Sequence, residues 1–174
     1  MKQRGFTLIE LIIVIVILGI LAVTAAPKFI DIQSDASRAT LQGLQSSIKG
    51  AISTTHAKSL VEGEQNQSTS SIAVPGGTVA MAYGYPTAAA AGIVAAMDIQ
   101  AGAAGSVANA EWGYFVGTGT VTFAPYNKIT WSATPAATDI TNTNCYLTYT
   151  AATGAGTPLV VTPANSVISN STGC

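Results

Sequence analysis

Glu10 is the only ionisable side chain between Phe6 and Ala26, in the run FTLIELIIVIVILGILAVTAA. A carboxylate in hydrocarbon is costly unless it finds a partner, so an acid inside a membrane-grade run is a functional signal by default. Just upstream lies MKQRG, a short basic segment that ends in Gly5. A cut after Gly5 would leave a new amine on Phe6, one helical turn from Glu10. The chemistry this spacing offers is therefore charge pairing, with a cation created where the acid needs one.

Elsewhere the chain is poor in reactive groups. His56 is the only histidine, so neither a histidine-based metal cluster nor a triad can be built within one chain. A lone histidine near a helix end is expected to be solvated or to favour the helix dipole. Asp98, Glu111 and Asp139 are scattered, form no acid–base pair and lack the alternating spacing of a calcium loop. The expected site therefore has no catalytic residues, no metal and no cofactor. Gly84-Tyr85 and Gly113-Tyr114 suggest either sugar-contact aromatics or half-buried strand aromatics, the second reading being preferred. Asn66-Gln67-Ser68 and Asn170-Ser171-Thr172 match the N-x-S/T acceptor pattern.

Three readings fit the N-terminal segment. As a secretory signal it would use Lys2 and Arg4 as its basic region and small residues near Ala25 or Ala26 for cleavage. As a plain anchor it would span the bilayer, for which about 20 apolar residues suffice, with the basic end cytoplasmic. Neither accounts for Glu10. A local account exists too, because Thr7-Leu8-Ile9-Glu10 has the S/T-x-x-E spacing of a capping box. The third reading is a processed leader followed by an assembling helix.

Gly5-Phe6-Thr7-Leu8-Ile9-Glu10-Leu11 is similar to the prepilin motif of bacterial type IV pilins and pseudopilins. That resemblance implies cleavage after Gly5 by a prepilin peptidase, N-methylation of Phe6, and pairing of Glu10 with the Phe6 amine of a neighbouring subunit. The stretch AAPKFIDIQSDASRATLQG, Ala25 to Gly43, resembles the helix continuation of type IVa major pilins of the mannose-sensitive haemagglutinin (MSHA) kind. Together these cover roughly the first third of the chain, and the remainder agrees in layout. Cys145 and Cys174 form an even pair, which in an exported protein reads as one disulfide. A metal or redox pair is the alternative, and their separation without a nearby histidine argues against it. The pair also matches the disulfide-bounded C-terminal region of the family.

Five segments follow from this reading: residues 1–5 as leader, 6–26 as the transmembrane and filament-core half of a helix, and 27–60 as its amphipathic half. Residues 61–110 are the connecting αβ-loop region with a short helix, and 111–174 hold an antiparallel sheet with the disulfide-bounded end. Pro27 lacks an N–H and clashes with a carbonyl one turn back, so a kink is expected there, with Gly19 as a weak point above it. In the amphipathic half Phe29, Ile32, Ala36, Ala39 or Thr40, Leu44, Ile48, Ala51 and Ile52 recur at three and four spacing. Thr87 to Ala96 reads as a short helix. Strands are expected at Trp112–Val116, Thr120–Ala124, Lys128–Ser132, Cys145–Thr150 and Pro158–Thr162, with turns at 117–119 and 125–127. The fold class is α+β, a long helix on an antiparallel sheet of about four or five strands.

Only 9% of the residues are charged, against about 25% in a usual domain, so much of the surface is either buried between subunits or polar without charge. Formal net charge is −1, and losing Lys2 and Arg4 with the leader makes it −3. Neither value suits nucleic-acid binding. The resemblance implies a structural major subunit of a type IV pilus, which adheres or attaches the cell to surfaces. It implies a single-pass protein of the cytoplasmic membrane that later joins an extracellular filament. Implied partners are copies of itself in a helical filament, prepilin peptidase, the membrane's pilus assembly machinery, lipid before assembly, and surface glycans. A minor pilin or type II secretion pseudopilin is the nearest alternative. A membrane-anchored carbohydrate-binding module is the alternative from another class, and an enzyme is a distant third.

Overall fold

A computed structural model describes residues 6–97, 99–103 and 110–174, and for 26–31 the backbone alone. Asp98 therefore lies outside the described residues. The first element, α1, runs Leu8–Glu62 and is helical through Pro27. The chain divides into two compact units, residues 1–37 and 38–174. In the first unit the described structure is helix, with Leu8 to Thr24 exposed on all sides. A helix apolar all round has no water-facing side, which is the pattern of a helix meant for hydrocarbon or for other helices.

The second unit begins on α1. Leu41, Leu44, Ile48 and Ala51 are buried, and buried Thr55 and Ser59 continue the same stripe. Each fully buried Leu or Ile stabilises by about 1.5–3 kcal/mol. Leu41 fills the place expected for Ala39 or Thr40, both of which are exposed. The helix stops at Gly63, whose N–H donates to the Leu60 carbonyl at 3.3 Å while Glu64 N–H donates to Ser59 at 2.9 Å. This paired closure satisfies two of the carbonyls a helix end leaves open.

Three strands then form a sheet within the expected connecting αβ-loop region: β1 (Ser70–Val74), β2 (Gly77–Ala82) and β3 (Tyr85–Pro86), antiparallel in that order. Ile72, Val79 and Met81 are its buried face. The short helix expected at Thr87 to Ala96 is an irregular helical turn over Ala90–Val94, interrupted at Gly92.

The main sheet has five strands: β4 (Ala101–Ala103), β5 (Trp112–Val116), β6 (Thr120–Pro125), β7 (Tyr146–Thr150) and β10 (Asn165–Asn170). Its order is β10-β7-β6-β5-β4. All neighbours are antiparallel except β4, which runs parallel to β5 at the edge. The core joins Leu41, Leu44 and Ile48 of α1 to Trp112, Val121, Phe123, Leu147 and Tyr149 of the sheet. A separate hairpin pairs β8 (Thr153–Ala155) with β9 (Val160–Thr162), so the strand expected at Pro158–Thr162 is shorter and lies outside the main sheet.

The strand expected at Lys128–Ser132 is absent. Tyr126–Lys128 is a single tight helical turn closed by Ile129 N–H on the Tyr126 carbonyl, and no strand follows before α2 (Ala137–Thr141). The alternating Ile129 and Trp131 cover Gly113 of β5 instead of joining a ladder.

Candidate functional site

Thr7 sets the start of α1. Its backbone N–H and its hydroxyl both donate to Glu10 Oε2 at 2.8 Å, and Glu10 N–H donates back to Thr7 Oγ1 at 3.3 Å. This is the reciprocal cap that the spacing suggested, and it satisfies donors that a helix start leaves open. The acid is thus held within its own chain, with both Thr7 bonds on one carboxylate oxygen. Phe6 beside it is 91% exposed, so the neighbourhood of Glu10 is open for a second molecule to approach.

Leu8–Ala25 has mean hydropathy 3.0 and no buried share, and is long and apolar enough to cross a membrane. The one hydroxyl late in that run is internally satisfied, Thr24 Oγ1 donating to the Leu21 carbonyl at 3.0 Å. Gly19 leaves open space around its Cα, with nothing within 4 Å of where a Cβ would sit. Gly5 lies outside the described residues, and Pro27 is described by its backbone alone.

At the other end of the chain, Cys145 and Cys174 form a disulfide with Cα atoms 4.8 Å apart. Closing a loop of this length stabilises by about 3–4 kcal/mol in the chain-entropy account. Sequence reasoning missed the group beside it. Lys128 Nζ donates to the carbonyl oxygens of Gly173 at 2.7 Å and Cys174 at 2.9 Å. The Gly173 N–H also donates to the Asn144 carbonyl at 2.8 Å, and Arg38 Nε donates to that of Ser171 at 3.3 Å. No local pattern could have announced Lys128, because its partners lie 45 and 46 residues away.

His56 is not solvated as expected. Its ring stacks on Tyr85 at 4.2 Å between centroids, and Nδ1 bonds to the Gly84 carbonyl at 2.8 Å. Tyr114 is half-buried beside Phe123, so Tyr85 and Tyr114 both serve packing, the preferred of the two readings of these aromatics. A cleft of about 560 Å³ lies against β1, and Lys58 is its one charged lining residue. Lys58 donates to the Ala73 carbonyl and sits 3.7 Å from Glu62. Among the described residues no group of three or more His, Cys, Asp or Glu is placed to hold a metal ion. Chemically, then, the arrangement offers an exposed apolar helix with one capped acid, and a head clasped at its C-terminal end.

Residues 1–26 match a family described as "Prokaryotic N-terminal methylation motif". The chain carries the N-terminal methylation motif found in type IV pilins. A curated relative from Thermus thermophilus, the "Type IV narrow pilus major component PilA5", is 44% identical over 62 residues. That match covers 34% of this chain and 53% of the relative, so the chain spans about half the length of the pilin it resembles. No solved structure matches. The long apolar helix followed by an antiparallel-rich sheet is the α+β arrangement of type IV pilins. The matched segment includes the exposed helix start, where Thr7 caps Glu10.

Proposed function

We propose that this chain is the structural major subunit of a type IV pilus. The observation that carries the reading is the methylation motif over residues 1–26, on a helix whose exposed apolar face holds a single carboxylate at Glu10. Prepilin peptidase cuts after Gly5, Phe6 becomes the methylated N-terminus, and residues 6–26 hold the subunit in the cytoplasmic membrane with the head outside. During assembly the Phe6 amine of an incoming subunit seeks Glu10 of a subunit already in the filament.

Lipid and a helix-lined filament core are similarly apolar, so leaving one for the other supplies little driving force. Charge pairing and close packing then decide where a subunit docks. Gly19 and Pro27 are the places where the helix yields as it packs, and the compact C-terminal units, residues 38–174, form the outer surface that meets surfaces and glycans. The likeness of Ala25 to Gly43 to MSHA-type pilins supports an attachment role. The relative's name, a major component, supports a major rather than a minor subunit.

The deciding experiment is the mass and N-terminal sequence of the mature protein. A chain beginning with N-methyl-Phe6 supports the reading, and one beginning near Ala26 overturns it. Subunit counts in sheared surface fibres separate the major role from a minor pilin or pseudopilin, which would be scarce there.

A further inference from the structure

The two cysteines sit in unequal surroundings. Cys145 is fully buried, at 0% exposure, whereas Cys174 is half-buried on the C-terminal tail. That tail has fastenings that do not depend on sulfur: Lys128 on the Gly173 and Cys174 carbonyls, Gly173 N–H on Asn144, and Asn170 Nδ2 on Asn144 Oδ1 at 3.1 Å. The Thr172 N–H and hydroxyl both fold back onto Asn170 Oδ1, at 2.9 and 2.8 Å. Charged side chains bond the tail: Lys128, from the turn after β6, on Gly173 and Cys174, while Arg38 of α1 reaches Ser171. The tail's partner from the loop before β7, Asn144, is neutral.

We propose that Cys174, placed by Lys128, is the thiol through which an external disulfide donor closes the Cys145–Cys174 bridge. The Cys174 thiol loses its proton to solvent, and its thiolate attacks the donor disulfide. A mixed disulfide forms and one donor thiolate leaves. Cys145, deprotonated in turn, attacks Cys174 Sγ, the protein bridge forms, and the second donor thiolate leaves. The two cysteines are oxidised by two electrons, the donor is reduced to two thiols, and the two protons end on the donor thiolates. Lys128 is a positioning residue here: it holds the backbone of Cys174 beside Cys145 before any covalent link exists. This closure chemistry is independent of the filament reading.

The test uses the full chain in detergent micelles, reduced, with glutathione disulfide as donor. With Cys145→Ser, Cys174 is expected to take up glutathione readily. With Cys174→Ser, Cys145 is expected to react about tenfold or more slowly, because a buried thiol is poorly reachable. In the two-cysteine chain Lys128→Met should slow closure several-fold, and Lys128→Arg should restore most of it. In urea both the asymmetry and the Lys128 effect should vanish. Equal rates for the two single-cysteine chains would overturn the proposal, as would wild-type closure in Lys128→Met. An asymmetry that survives in urea belongs to local sequence and overturns it too. So does a reduced chain that behaves the same in buffer and in urea.

Discussion

The Tyr149 hydroxyl donates to the Pro86 carbonyl oxygen at 2.5 Å, and so ties β7 of the main sheet to β3 of the smaller one. Tyr149 is fully buried, and burial pushes its pKa well above the usual value. A folded-state pKa raised above the unfolded one means that the stabilisation is complete below the unfolded value of about 10 and is lost as pH rises beyond it. Thermal melts from neutral to strongly alkaline pH should therefore fall steeply above that value. Tyr149→Phe should remove this component of the alkaline loss. The same change leaves the Pro86 carbonyl unpaired, at a cost of about 1–3 kcal/mol at neutral pH. An unchanged alkaline profile in Tyr149→Phe would assign the loss to another group.

Gly84 joins the end of α1 to the β2–β3 hairpin, and its carbonyl receives both His56 Nδ1 at 2.8 Å and Ser59 Oγ at 3.2 Å. Its φ is +79°, and a Cβ there would stand 3.0 Å from each of those two atoms. Gly84→Ala should cost about 1–3 kcal/mol through backbone strain and weakened bonds. Gly119→Ala is the natural control, since Gly119 also has positive φ but open space around it. Urea unfolding of both variants checks the point, with the larger loss expected at Gly84. Equal losses would mean that backbone strain accounts for the whole effect.

How far these features could be read from the sequence depends on how local their causes are. The helix start was legible because Thr7 and Glu10 are three residues apart and their chemistry is self-contained. The amphipathic stripe was legible from its period over Leu44, Ile48, Ala51 and half-buried Ile52, although Leu41 replaced the smaller residues expected one turn earlier and Ile32 and Ala36 are exposed. Strands β5, β6 and β7 announced themselves through aromatic and β-branched residues such as Tyr114, Phe123 and Tyr149. The smaller sheet did not, because Ser70, Ser71 and Gly77 are poor strand formers within the expected connecting region, and pairing with their neighbours makes them strands. Ile129 and Trp131 misled in the other direction: their alternation is real, but it serves to cover β5. The tail clasp by Lys128 was illegible for a different reason, since only the folded chain brings that ammonium to Gly173 and Cys174.

Asp139 organises the loop before α2 through one carboxylate oxygen. It accepts from Ala136 N–H at 3.1 Å, Ser132 Oγ at 2.9 Å and Ser132 N–H at 3.2 Å. The Ala136 amide, with the Ser132 hydroxyl and amide behind it, holds the carboxyl below its usual pKa against an opposing effect of burial. A depressed folded-state pKa stabilises above the unfolded value of about 3.9 and loses that contribution as pH falls through the folded one. Amide exchange at Ser132 and Ala136 should therefore accelerate in acid beyond its intrinsic pH dependence. Asp139→Asn should show the faster exchange already at neutral pH. Exchange at both amides that matches wild type would show that the carboxylate does not order this loop.

The two roles assigned to Glu10 can be separated by chemistry rather than by deletion. Within one chain it caps α1, a role that needs an acceptor oxygen but no full charge, since Thr7 offers only neutral donors. Between chains it is proposed to meet an amine, and that role needs the charge. Glu10→Gln keeps an acceptor of nearly the same shape and discards the charge. If capping were the whole of its function, this variant should assemble almost as wild type, with the helix start weakened by no more than about 1 kcal/mol. If the proposed pairing sets register, the variant should accumulate in the membrane at normal levels while sheared surface filaments fall sharply. Glu10→Val should do the same, with the cap lost as well. Immunoblots of membrane and sheared fractions distinguish these outcomes, and abundant normal filaments in Glu10→Gln would leave the acid as a cap and nothing more.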